Sequence, residues 1–199
     1  KLSKEISEPL TIDFNLADTF SIGSNKGIAI RNAINDLFSL EIRLQTGWQT
    51  NPALQQTIDL LSRIATKQRS REELKSAFES LGCSFMVSLE RDEVIITLDG
   101  LEANLQACLK LVNELLVEPK VIPGSIESVY TSEKIKREEE KSSPFVLGYA
   151  LIRYAVFDDQ TRFRMRTPIE TIRLTEPEVY EQRISELLQN TIQINYFGS

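Results

Sequence analysis

The chain is 199 residues long, with 41% hydrophobic and 26% charged residues, a balance that suits a water-soluble fold with enough apolar surface for a core. Its net charge of −6 argues against a nucleic-acid or anionic-membrane partner, and no apolar run approaches the ~20 residues of a membrane-spanning helix. Histidine is absent, which removes the commonest zinc ligand and the commonest general acid–base near neutral pH.

Residues 1–26 are weakly patterned and read as a lead-in arm or linker, with a short strand near Leu10–Phe14; residues 27–199 read as a single domain. Ile28 and Ile30 alternate with small or polar neighbours. After the turn residues "RNAIND", Phe38, Leu40, Ile42 and Leu44 alternate with Ser39, Glu41, Arg43 and Gln45, a strand with one buried face. "TGWQTNP" breaks it, and Asn51 followed by Pro52 predicts a helix cap and first helical residue. Leu54, Ile58, Leu61 and Ala65 make the apolar stripe of that helix.

Ser70 with Glu73 three residues on predicts a capping box, and Gly82 stops the helix so begun. Cys83, Phe85, Val87 and Leu89 share one strand face; Val94, Ile96 and Leu98 share the next, across the charged turn "ERDE". A helix over 102–117 carries Leu105, Cys108, Val112 and Leu115. A charged helix follows over 126–141. Ser143–Pro144 opens another, "FVLGYALIRYAVF", apolar nearly all round and expected to be sandwiched between layers. An arginine-rich loop, a helix near 177–189 and a strand "TIQINYF" complete the chain. The order β, β, α, α, β, β, α, α, α, α, β has few single-helix crossovers, so we expect an α+β fold: an antiparallel sheet with helices packed on one face.

Two cysteines are too few for a disulfide framework. Cys83 and Cys108 each lie on an apolar face, where a buried free thiol is the commoner state, although a pair would form if the protein is exported. "TRFRMR" places Arg162, Arg164 and Arg166 at period two, so that in an extended segment they share a face able to grip a substrate carboxylate or a partner's acidic patch. The plainer reading, which we prefer, is a solvated connector balanced by Asp158 and Asp159.

The order and phrasing of these elements resemble a domain of the M16 (pitrilysin/insulinase-like) metallopeptidases, whose domains share the LuxS-like fold. The phrases that carry the resemblance are "FSLEIRLQTG", "SREELKSAFESLGCSFMVSLERDEVIITLDGLEANLQACLKLVNELLVEP", "TPIETIRLTEPEVYEQRISELL" and "INYFG". It covers roughly residues 28–198. The resemblance implies a module of a two-halved clamshell in which only one domain carries the zinc motif H-x-x-E-H. Counting back from Arg69–Ser70, the motif's places fall on Gln56, Asp59 and Leu60, and no shift of register supplies a histidine. Asp59 would then be a solvated aspartate. Glu127 and Glu133, in the region of the family's third ligand, would be surface charges.

The resemblance therefore implies no metal or catalytic residue in this chain, with zinc in the catalytic domain of a parent that is a zinc metalloendopeptidase. The opening and closing strands look most like the non-catalytic domain that starts the C-terminal half of bacterial members. Its partners would be the catalytic domain, in the same chain or a second subunit, and a peptide substrate; an isolated module could also form a homodimer. Trp48 would rim the chamber or a domain contact, or else cap the local core. The alternative is a stand-alone scaffold or interaction subunit that kept the fold. The chain begins at Lys1 without a leader, so we expect a processed protein or a fragment with any targeting signal outside it, and the sequence leaves bacterial cytoplasm and periplasm both open.

Overall fold

The computed structural model describes residues 17–199. The strand expected near Leu10–Phe14 lies outside the described residues. Strands β1 (Ala17–Ile22) and β2 (Asn25–Arg31) form an antiparallel hairpin, so the last ten residues of the expected arm include an edge strand. Gly23 turns it with φ +61, a left-handed backbone that glycine adopts without steric cost. The buried Asn32 then shapes the bend into β3 (Leu37–Leu44): its Oδ1 accepts from Ile34 N and Asn35 N, and its Nδ2 donates to the Leu37 carbonyl at 2.8 Å.

Helix α1 runs over Leu54–Leu61 and begins later than Asn51–Pro52 predicts. The Asn51 carbonyl accepts from Leu54 N in a turn that precedes the helix, so Asn51 does not cap it. Ala65 leaves the expected stripe for β4 (Ala65–Thr66), which pairs with β7 (Pro119–Lys120) in a small second sheet.

Helix α2 (Arg71–Ser80) starts with the expected capping box: Ser70 Oγ accepts from Glu73 N, and Glu73 Oε2 accepts from Ser70 N at 2.8 Å. Gly82, with φ +58, ends it. Strands β5 (Ser84–Leu89) and β6 (Val94–Leu101) form the expected hairpin. After a 3-10 turn come α3 (Leu105–Val117), then α4 (Pro123–Ser142) and α5 (Pro144–Phe157). The segment "TRFRMR" is not extended. Arg162–Met165 is a short helix, α6, so the three arginines do not share one face. Helices α7 (Ile169–Leu174) and α8 (Pro177–Glu186) lead to β8 (Ile192–Gly198).

The main sheet has the order β1-β2-β8-β3-β6-β5. It is mixed, not wholly antiparallel: β2 and β8 run parallel while every other pair is antiparallel. Alternation places Leu40, Leu44, Val94, Ile96 and Leu98 under the helices, where they meet Leu60, Ile64, Leu115 and Ile184 in the core. The opposite face is polar: Arg43 bridges Glu41 at 2.9 Å and Glu93 at 2.7 Å, and Asn195 Nδ2 donates to Glu41. The α+β class and the one-sided helix layer are as expected.

Helix α5 departs most from expectation. It is not sandwiched. It packs on α4 and the turn that follows it, and none of its residues is fully buried. Phe145 is 84% exposed, Leu151 69%, Val156 67% and Ile152 65%.

Candidate functional site

Helix α1 holds Gln56, Asp59 and Leu60, the three residues on which the expected motif's places fall, in two environments. Gln56 and Leu60, four residues apart, both turn into the interior, with Leu60 wholly inaccessible and Gln56 2% exposed. No described residue pairs with Gln56 Nε2. Asp59 lies on the flank, half-buried rather than solvated, and accepts from Gln55 Nε2 at 3.1 Å. Burial pushes its carboxyl above the usual value and nearby Glu133 adds to this, against the Gln55 hydrogen bond and the charges of Lys136 and Arg63.

Glu133 is not a surface charge. It is 6% exposed on α4, accepts from Arg137 Nε at 2.7 Å and lies 3.8 Å from Lys136 Nζ. Arg137 also donates to the Thr167 carbonyl at 2.8 Å, tying α4 to the segment before α7. Glu127 is exposed, 3.8 Å from Arg173. A buried amide and a leucine do not supply the donor set that zinc takes, so α1 does not fit that metal. Among the described residues no three His, Cys, Asp or Glu side chains gather as a metal site. Cys83 and Cys108 are free buried thiols in contact with each other; burial, then Cys108, pushes the Cys83 thiol up to about 12.

Beside the start of α1, a pocket of about 310 Å³ opens between the turn carrying Trp48 and helices α4, α5 and α6. It brings Trp48 together with Arg162 and Arg166, two of the three arginines that sequence reasoning singled out as a group. Arg162 donates to Gln55 Oε1; Arg166 donates to Glu140 Oε2 and lies 5.7 Å from the Phe163 ring centre. Arg164 is left out: it points into solvent and pairs with Asp159 at 2.9 Å. Trp48 is half-buried, so it both packs on the core and forms pocket wall.

Other wall residues were missed. Tyr149 meets Phe163 edge-on, with centroids 6.3 Å apart, and the Arg153 guanidinium lies 4.2 Å from the Phe157 ring centre. Arg153 is the sole charge in the otherwise apolar run of α5, a signal that could have found it. Thr161, 2% exposed, lines the pocket with an Oγ1 that no described residue pairs. No sequence signal marks it. A larger cleft between β4 and the start of α4 is also basic, but Arg69 there is taken by Glu114 and the Ser125 hydroxyl by the Arg63 carbonyl.

The fold recurs in solved structures. The chain superposes on a mutant of the ferredoxin protease FusC in complex with Arabidopsis ferredoxin with a TM-score of 0.77. The fold is that of an M16 peptidase domain. For FusC the identity is 13%, over 94% of this chain and 22% of that one. The peptidase M16 inactive domain from Pseudomonas fluorescens matches at TM-score 0.75 and 16% identity, over 92% of this chain and 46% of that one. The periplasmic protease PqqL from Escherichia coli gives 0.72 and 12%, over 92% and 21%. The chain therefore spans between about a fifth and a half of the chains it matches. No protein-family model matches the sequence, and no curated protein matches it.

Proposed function

We propose that this chain is a catalytically inactive domain of an M16-like zinc metallopeptidase, packing against the zinc-bearing half and forming part of the substrate chamber. The observation that carries the packing role is the exposure of α5. Seven large apolar side chains, from Phe145 to Val156, stand exposed on one helix. Exposed apolar side chains gathered on one element mark an interaction surface, and a second domain of a clamshell would cover them. The chemistry of α1 supports the inactive reading: Gln56 and Leu60 replace metal donors with an amide and an alkyl group, and without a metal Asp59 has no water to activate. Hydrolysis would then belong to another domain, whose zinc acidifies its bound water. The peptide substrate would lie between the two.

The test is zinc content by mass spectrometry together with peptidase turnover of the chain, before and after chelation. We expect neither zinc nor turnover. Stoichiometric zinc, or hydrolysis lost on chelation, overturns the inactive reading. The scaffold alternative is separated by the gene itself: an H-x-x-E-H domain in the same reading frame or a neighbouring one supports the peptidase half, and its absence supports a stand-alone subunit.

A further inference from the structure

The pocket beside α1 has an imbalance of charge that its own residues do not resolve. Four cations line it, Lys136, Arg153, Arg162 and Arg166, against the carboxylates of Glu133 and Glu140. Both carboxylates are engaged: Glu140 accepts from Arg166, and Glu133 accepts from Arg137 at 2.7 Å. Arg162 has a neutral partner, the Gln55 amide oxygen, and among the described residues Arg153 meets an aromatic ring rather than a carboxylate. Two guanidiniums thus face one small space without an anion. The buried Thr161 Oγ1, unpaired among the described residues, lines the same space. A buried hydroxyl without a partner is costly, and a ligand atom would relieve it.

The remaining wall is apolar and flat: Trp48, Tyr149, Phe163 and Met165. An occupant must combine one negative charge with an apolar group. A dianion such as phosphate would meet the two fixed carboxylates and leave the rings uncovered. We propose that this pocket binds a carboxylate carried on an apolar side chain, as at the carboxy-terminal residue of a peptide. Arg153 and Arg162 hold the carboxylate, Thr161 Oγ1 donates to it, and the side chain lies against Trp48 and Phe163. The volume of about 310 Å³ is at the low end for ligand sites, which limits the occupant to one residue's side chain and its carboxyl group. The inference stands on the pocket and does not require the zinc-peptidase reading.

Trp48 is the one tryptophan of the chain, so its fluorescence reports occupancy directly. The probe is an acetylated tetrapeptide of three alanines and a terminal phenylalanine, titrated as the free acid and as the C-terminal amide. The acid should shift the emission saturably, and the amide should bind at least about tenfold more weakly, as loss of charge-assisted hydrogen bonds predicts. Arg153→Ala and Arg162→Ala should each weaken the acid by a similar factor, and Thr161→Val by less, with far-ultraviolet dichroism and melting unchanged. N-acetylphenylalanine separates the two sources of this chemistry: weaker binding than the peptide assigns a chain end, and equal binding assigns a free acid. Acid and amide binding alike, no saturable change with either, or unaltered affinity in both arginine variants would overturn the proposal.

Discussion

Replacing Gln56 by methionine should stabilise the fold. The side chain is 2% exposed and its Nε2 has no partner among the described residues. A buried amide that gives up water without a replacement costs about 1–3 kcal/mol. Methionine keeps the unbranched length and nearly the volume, so the repacking penalty is small. We expect a net gain of about 1.5 kcal/mol, which for a chain of this size raises the melting temperature by ~3–6 °C. Urea titration reads it as a higher midpoint with unchanged slope. Gln56→Glu is the control. It puts a charge in the same place and should cost about 3 kcal/mol at neutral pH, a loss that shrinks as acid neutralises the carboxyl. A methionine variant with an unchanged or lower midpoint would show that the amide is satisfied, and the reasoning would fail.

Three further outcomes test the interior and its flanks. Glu133→Ala leaves the mostly buried Arg137 without its carboxylate and should cost about 3–5 kcal/mol; in a double-mutant cycle with Arg137→Ala the two losses should fall well short of additive. Burial holds the Asp59 carboxyl above its usual 3.8, so the folded chain keeps a proton that the unfolded chain has already released. The resulting penalty is complete above the raised value and absent below about pH 3.8. Asp59→Asn should therefore stabilise at neutral pH, by an amount that disappears on acidification; a gain that grows with acid contradicts the assignment. Cys83, its thiol pushed up to about 12, and the buried Cys108 should resist Ellman's reagent at pH 8 until urea unfolds the chain, and then both should react; rapid labelling of the native protein would contradict the burial.

Where local chemistry decided the structure, the sequence was a sufficient guide. The Ser70–Glu73 box, the Gly82 stop and the β5–β6 hairpin rest on neighbours in the chain, and all formed as expected. Non-local decisions were hidden. Nothing in the β2 residues says that their partner β8 runs parallel, or lies more than 160 positions away. The all-round apolar pattern of α5 cannot tell a helix buried in its own domain from one left exposed. In α4 the mixed-charge run gave the helix correctly, but charge patterning assigns every carboxylate to solvent, and Glu133 is the one that Arg137 draws inside. Likewise Arg162, Arg164 and Arg166 were visible as a group. Only the turn of α6 sorts them, sending two to the pocket and one away.

The position of β8 also constrains how the chain can assemble. Strand β8, far along the chain from its neighbours, occupies an inner place in the sheet, between β2 and β3, and among the described residues it is the only strand that the β1–β2 hairpin pairs with. During synthesis the hairpin forms early, yet it has nowhere in the sheet to attach until residues 192–198 emerge. Until then β2 and β3 each present an open edge to the cell. Completion waits on contacts of the longest sequence separation, the slow kind, and losing β8 would release the hairpin whole rather than fray it strand by strand.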